Sequence, residues 1–133
     1  MDNGQNGLLL VGRIMLVVVF LKAGLAKITG WPGVVHYLTT IHAPYPLLGG
    51  IVAIVCEVVV AALIVLGVRT RLCAFIMALY TAGTMVLVHH FWTMSGPAQG
   101  LNELNFFKNL GLMGGFVLLM GAGPGRFALQ RRG

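Results

Sequence analysis

The stretch Pro46–Gly67, PLLGGIVAIVCEVVVAALIVLG, decides how this chain folds. It is apolar almost from end to end, with one charged residue, Glu57, near its centre. About 20 consecutive apolar residues carry a helix across a bilayer, and this run supplies them. A carboxylate at that depth is costly unless it is protonated, paired or facing water. Glu57 therefore marks the place to look for a polar clasp or a site.

Three more spans of the same kind lie outward from it. The first runs from about Leu8 to Lys27 and is ended by Gly30-Trp31-Pro32-Gly33. The link Val68-Arg69-Thr70-Arg71 leads to the third, about Leu72 to Trp92. Residues Thr93–Asn102 carry Ser, Gly, Pro and Gln and read as a loop. The fourth span runs from about Glu103 to Gly121 and is stopped by Gly123-Pro124-Gly125. Of 133 residues, 58% are hydrophobic and only 9% charged, and mean hydropathy is +0.91. A soluble domain of this size would need far more charge on its surface. The fold class is an all-α membrane protein, a single four-transmembrane-helix bundle over residues 1–133.

The net charge of +6 is spread between helix ends, without the basic tracts and interleaved aromatics of a nucleic-acid binder; no nucleic acid is expected as partner. It reads instead as a topology signal. Arg69, Arg71, Arg126, Arg131 and Arg132 mark their segments as cytoplasmic, so both termini are expected inside. The loops Thr29–Tyr45 and Thr93–Asn102 contain no Lys or Arg and are expected outside. Trp31, Tyr37, Tyr45, Phe91 and Trp92 gather at that boundary as an aromatic belt. The start, MDNGQNG, lacks a basic region and no A-x-A site follows the first apolar run, so that run is expected to remain as a membrane helix. The long loop Thr29–Tyr45 fits either a re-entrant or a surface-lying segment. Cys56 and Cys73 sit at depths that differ by roughly 10 Å or more at the helical rise, too far for a disulfide, and read as small core residues.

Ionisable residues inside the spans carry the functional question. On the second span Gly50, Ala53, Glu57 and Ala61 share one face, and small residues there mark close helix packing. On the first span Arg13, Phe20, Gly24 and Lys27 form one stripe, with Lys22 on the opposite side. Arg13 and Glu57 differ in expected depth by about 7 Å, which an arginine side chain spans, so Arg13–Glu57 is the expected ion pair or proton site. Lys27, His89, His90, Glu103, Lys108 and Asn109 are expected to form a polar pocket in the outer half. Asn102, Asn105 and Asn109 make a polar stripe on the fourth span, and Gly111 and Gly115 have a packing spacing. Lys22 and Lys27 also have a plain reading, snorkelling to the interface.

His89-His90 suggests haem or metal, but adjacent helical residues point about 100° apart and no other span carries a His. Only His36 and His42, in the long loop, are placed to join them, and no metal site is expected. No dinucleotide, phosphate-loop, nucleophile-elbow or HExxH motif occurs.

The pieces RIMLVVVFLKAGLAK (from Arg13), CEVVVAALIVLGVRTR (from Cys56) and KNLGLMGGFVLLMGAGPGRFAL (from Lys108) occur here in one order and spacing. Together they resemble the DoxX family of small bacterial inner-membrane proteins. The resemblance implies a four-helix bundle in the inner membrane, with Arg13, Lys27, Glu57, Lys108 and Asn109 as its polar signature. It also implies association with membrane redox processes, in which members serve quinone-reducing or oxidative-stress assemblies. Three functions follow. The first is a quinone-binding subunit of a redox complex, without a redox cofactor of its own and fed with electrons by a partner. The second is a non-catalytic subunit that anchors or stabilises a larger complex. The third is a small-solute or proton path, which in so small a chain requires a homo-oligomer.

Overall fold

The computed structural model describes residues 1–131; Arg132, one of the arginines read as a topology mark, lies outside the described residues. Among the described residues the chain is all-helical. Four helices are long and apolar enough to cross a membrane: α1 Asn3–Thr29, α3 Pro46–Leu66, the segment Thr70–Thr93, and α5 Pro97–Ala122. The ten-residue helix α2, Trp31–Thr40, sits between the first two spans. In the third span α4 runs Thr70–Leu87, followed by a short 3₁₀ turn at Phe91–Thr93.

Local chemistry sets most helix ends. Asp2 caps α1: its carboxylate accepts the Gln5 N–H at 2.7 Å, while the Gln5 side chain accepts the Asp2 N–H at 2.9 Å. This reciprocal arrangement satisfies two donors that a helix start leaves free. Proline opens α3 and α5 and lies in the first turn of α2, where its missing N–H costs nothing. Gly67 ends α3 in the left-handed region, φ 72°. A side chain there would also strike Ala128 and the Arg13 guanidinium.

Two bounds differ from the sequence reading. Helix α5 begins at Pro97 rather than at Glu103, because hydropathy reports where the membrane starts and not where the helix does. Helix α4 ends at Leu87, so His89 and His90 lie in the bend after it. The long first loop is mostly helix α2, amphipathic enough that Val34 and Leu38 are half-buried while His36, Tyr37 and Thr39 are exposed.

The core occupies the half of the bundle nearer the two termini. Val17 and Phe20 of α1, Cys56, Val60, Ala61 and Ile64 of α3, Cys73, Ala74 and Met77 of α4, and Phe116 and Leu119 of α5 pack there as one cluster. Both cysteines are buried and free. The bundle differs toward the loop end. There α1, α2 and the outer part of α3 form one packed group and α4 with α5 another, with little contact between outer α3 and α4.

The chain after α5 folds back across the termini end. Leu129 and Gln130 donate their N–H groups to the Leu66 and Gly67 carbonyls, each at 3.0 Å. The Arg126 N–H donates to Asn6 Oδ1 at 2.6 Å. Arg71 Nη1 donates to the Met120 and Gly121 carbonyls at 2.7 and 3.0 Å. The bonds from Leu129, Gln130 and Arg71 satisfy carbonyls at the ends of α3 and α5 that the helices leave open, and the one to Asn6 ties the tail to α1.

Candidate functional site

Glu57 lies in the middle of a π-helical turn, Val55–Val60, inside α3. Such a turn inserts one residue into the helical register, and such bulges recur at functional sites. Cys56, Glu57, Val60 and Ala61 are all buried there. Gly24 of α1 faces this turn. A Cβ on Gly24 would lie 2.7 Å from Val58 Cγ2 and 2.8 Å from Glu57 Cβ, so the absent side chain is what lets the two backbones approach.

That approach selects the partner of Glu57. One turn beyond Gly24, Lys27 Nζ meets Glu57 Oε2 at 2.7 Å. From α4, the Tyr80 hydroxyl donates to Glu57 Oε1 at 2.6 Å. Both carboxylate oxygens are thus engaged by donors from two other helices. The Glu57 side chain is 8% exposed and that of Lys27 27%. A carboxylate at this depth is held by one full charge and one neutral donor, the pairing that intramembrane acids require.

Arg13 is not the partner of Glu57, and the expected Arg13–Glu57 pair is corrected here. Arg13 stands level with Gly67, at the far end of α3 from the loops. Glu57 is about 15 Å further along that helix at 1.5 Å per residue. The depth estimate failed because α1 starts at Asn3 and runs well past the end of α3. Arg13, 1% exposed, instead donates through Nη2 to the Phe127 carbonyl of the returning tail. Its Nε and Nη1 have no partner among the described residues.

Between the two groups of helices lies a chamber of about 810 Å³. All four spans and α2 line it, mostly with apolar and small residues such as Phe20, Ala23, Val52, Ala53, Gly83 and Leu112. Glu57, Lys27 and Tyr80 form its polar floor, while Thr84, His89, Lys108 and Asn109 stand on the opposite wall. That wall is tied together by Asn109 Nδ2 donating to Thr84 Oγ1 at 3.2 Å and by His89 Nδ1 against Asn102 Oδ1 at 2.9 Å. Lys108 Nζ reaches Asn105 Oδ1 at 3.4 Å.

Of the six residues expected to form the pocket, four line the chamber: Lys27, His89, Lys108 and Asn109. His90 does not; its ring pairs with Thr93 and packs edge-on to Trp92. Glu103 is exposed on α5 and stands outside the lining, as does Lys22 on α1. Among the described residues no group of three His, Cys, Asp or Glu side chains is placed to hold a metal ion. The residue that sequence reasoning missed is Tyr80. A signal existed: it is the one tyrosine inside a span, and a buried tyrosine hydroxyl needs a partner.

The fold and this chamber define a class: a multi-pass integral membrane protein with a polar-floored cavity inside a four-helix bundle. The chain belongs to the DoxX family, whose model matches residues 8–90. It is 46% identical to the inner membrane protein YphA of Escherichia coli (strain K12) over 125 residues, covering 94% of this chain and 89% of that protein. It is 37% identical to the inner membrane protein YqjF of the same strain over 122 residues, covering 92% and 88%. It is also 24% identical over 132 residues to the Surfeit locus protein 4 homolog of Schizosaccharomyces pombe, spanning 98% of this chain but 39% of that protein. No solved structure matches. The four spans and the two Escherichia coli relatives place the chain in the inner membrane.

Proposed function

We propose that this protein is a membrane subunit of a quinone-linked redox system, and that its chamber holds the quinone head group. The observation that carries the reading is the composition of the chamber. Apolar walls of about 810 Å³ suit a ring and the start of a hydrocarbon tail, and the few polar groups are hydrogen-bond donors of the kind a quinone carbonyl accepts. On the floor Lys27 keeps N–H groups beyond the one given to Glu57, and on the facing wall Lys108 and Asn109 offer theirs, while the one Tyr80 proton is engaged by Glu57. Glu57 is the group that would lend or take a proton, with Tyr80 and Lys27 holding its two oxygens in place. Electrons would come from a partner protein. The charge rule puts the arginine-bearing end, with both termini, in the cytoplasm and the chamber in the outer half of the membrane.

The test is quinone content per chain after mild purification from native membranes, by solvent extraction and chromatography. Near-stoichiometric quinone, lost in Lys108→Ala, is the expected result. Absence of quinone, with a stoichiometric co-purifying protein, would overturn the reading in favour of a non-catalytic anchoring subunit. That second reading has its own support: both oxygens of Glu57 are already engaged within the chain, as a purely structural clasp would require.

A further inference from the structure

The chamber is open sideways as well as hollow. Helices α1 and α5 touch at Leu16 and Gly115, where a Cβ on the glycine would lie 2.8 Å from Leu16 Cδ1. Toward the loop end they part. There Val19, Ala23 and Ala26 of α1 and Lys108 and Leu112 of α5 line the chamber instead of packing on one another. Val19, Ala26 and Lys108 line the chamber and are themselves exposed, as the rims of a slot between α1 and α5 open to the hydrocarbon of the bilayer would be. From above, α2 lies across the loop end with Val34, Tyr37 and Leu38 over the chamber, and its Trp31 ring packs on Gly50.

Charge distinguishes this slot from the one on the other side. Between outer α3 and α4 the chamber is bordered by Val52 and Leu87, both apolar. The α1–α5 slot holds Lys108, about 10 Å along the helix from Gly115. Glu57 is already neutralised by Lys27, the one ion pair among the described residues. The side chain of Lys108 meets only Asn105 there, at 3.4 Å. An ammonium at that depth is short of acceptors and favours any head group that brings one.

We propose that the ligand reaches the chamber sideways from the bilayer through the α1–α5 slot, head group first and tail left in the lipid. Lys108 is then the specificity-determining residue that takes a carbonyl oxygen of the head at the threshold. The ligand class is a membrane-dissolved amphiphile with an acceptor-bearing head. The inference rests on the chamber being the ligand site.

Two measurements on the full chain in lipid nanodiscs test it. In the first, a nitroxide is placed on a cysteine at Ala23, with Val18 as the lipid-facing reference and Thr39 as the reference outside the spans; the buried Cys56 and Cys73 stay in place. Lipid-borne oxygen should relax the Ala23 label much as it does the Val18 label, while a water-soluble nickel complex should not. A label at Ala23 that answers to nickel, or to neither reagent, overturns the lateral slot whether or not quinone binds. In the second, binding of a benzoquinone with a ten-carbon tail is followed by stopped flow. Ala23→Phe should slow association and Val52→Phe should not. Lys108→Met should weaken binding about tenfold or more, the loss of one charged hydrogen bond, and Lys108→Gln should restore part of it. Equal rates in the two phenylalanine variants, or unchanged affinity in Lys108→Met, would overturn the proposal. Failure of the unaltered chain to bind this quinone would count against the quinone reading, leaving the spin-label result to decide the slot.

Discussion

Lys27 and Glu57 form a 2.7 Å ion pair that ties α1 to the π-helical turn of α3. The two sides of the pair are not equally buried, and this asymmetry sets an order among variants. Lys27→Met would strand a carboxylate that is 8% exposed. Glu57→Gln would leave a lysine that is 27% exposed and able to snorkel toward water. Breaking a buried pair from one side costs about 3–5 kcal/mol, reduced where a partner reaches solvent. We expect both variants to melt lower than the parent in the same detergent, with Lys27→Met the worse. Equal melting of Glu57→Gln and the parent would contradict the clasp.

Arg13 offers the complementary test. Its guanidinium is buried, bonded to one carbonyl, and has two nitrogens without partners among the described residues. A buried guanidinium with two nitrogens unbonded carries a desolvation cost that its one hydrogen bond offsets only in part. Arg13→Met is therefore expected to melt at or above the parent. In double-mutant cycles, Arg13 and Glu57 should be additive within about 0.5 kcal/mol and Lys27 and Glu57 should not. A coupling between Arg13 and Glu57 as large as that of the lysine pair would refute the observed geometry.

Tyr80→Phe keeps the ring and removes the 2.6 Å hydrogen bond to Glu57. Hydrogen bonds to charged groups contribute about 1.5–3 kcal/mol. Melting should fall by a corresponding amount, and the effect should shrink to that of a neutral hydrogen bond, about 0.5–1.5 kcal/mol, when Tyr80→Phe is added to Glu57→Gln, whose amide oxygen still accepts the hydroxyl proton. Tyr80 is also the one side-chain hydrogen bond between the two helix groups in the loop half, among the described residues. The same variant should loosen the chamber, read as faster hydrogen exchange in outer α3.

Gly24→Ala places a Cβ within 2.8 Å of Glu57 Cβ and 2.7 Å of Val58 Cγ2. Overpacking of this kind costs about 1–3 kcal/mol. Gly12→Ala, on the same helix with nothing within 4 Å of the new atom, should be neutral or slightly stabilising through helix propensity. Thermal melting of the two side by side checks the claim, and equal effects would mean that the α1–α3 approach is looser than the contact implies.

Much of this was legible in the chain. The inward stripe Arg13–Phe20–Gly24 and the face Gly50–Ala53–Glu57–Ala61 are buried as their 3.6-residue spacing implies. Lys27, His89, Lys108 and Asn109 do meet at one chamber. His90 and Glu103 do not: His90 lies in the bend after Leu87, and Glu103 stands about 120° around α5 from Asn109. Helical periodicity speaks only within a helix, so side chains in the bend that follows Leu87 were beyond its reach.

The sequence alone determined that four apolar helices cross a membrane and which of their faces turn inward, since span length and helical period are properties of one segment at a time. The pairing of Glu57 was decided by the tertiary structure. How far α1 slides past α3, where Gly24 admits the π turn, and what lies opposite in α4 are relations between segments. The two candidate partners, Arg13 and Lys27, stand about 21 Å apart along α1, and no local pattern records which of them the packing brings to Glu57.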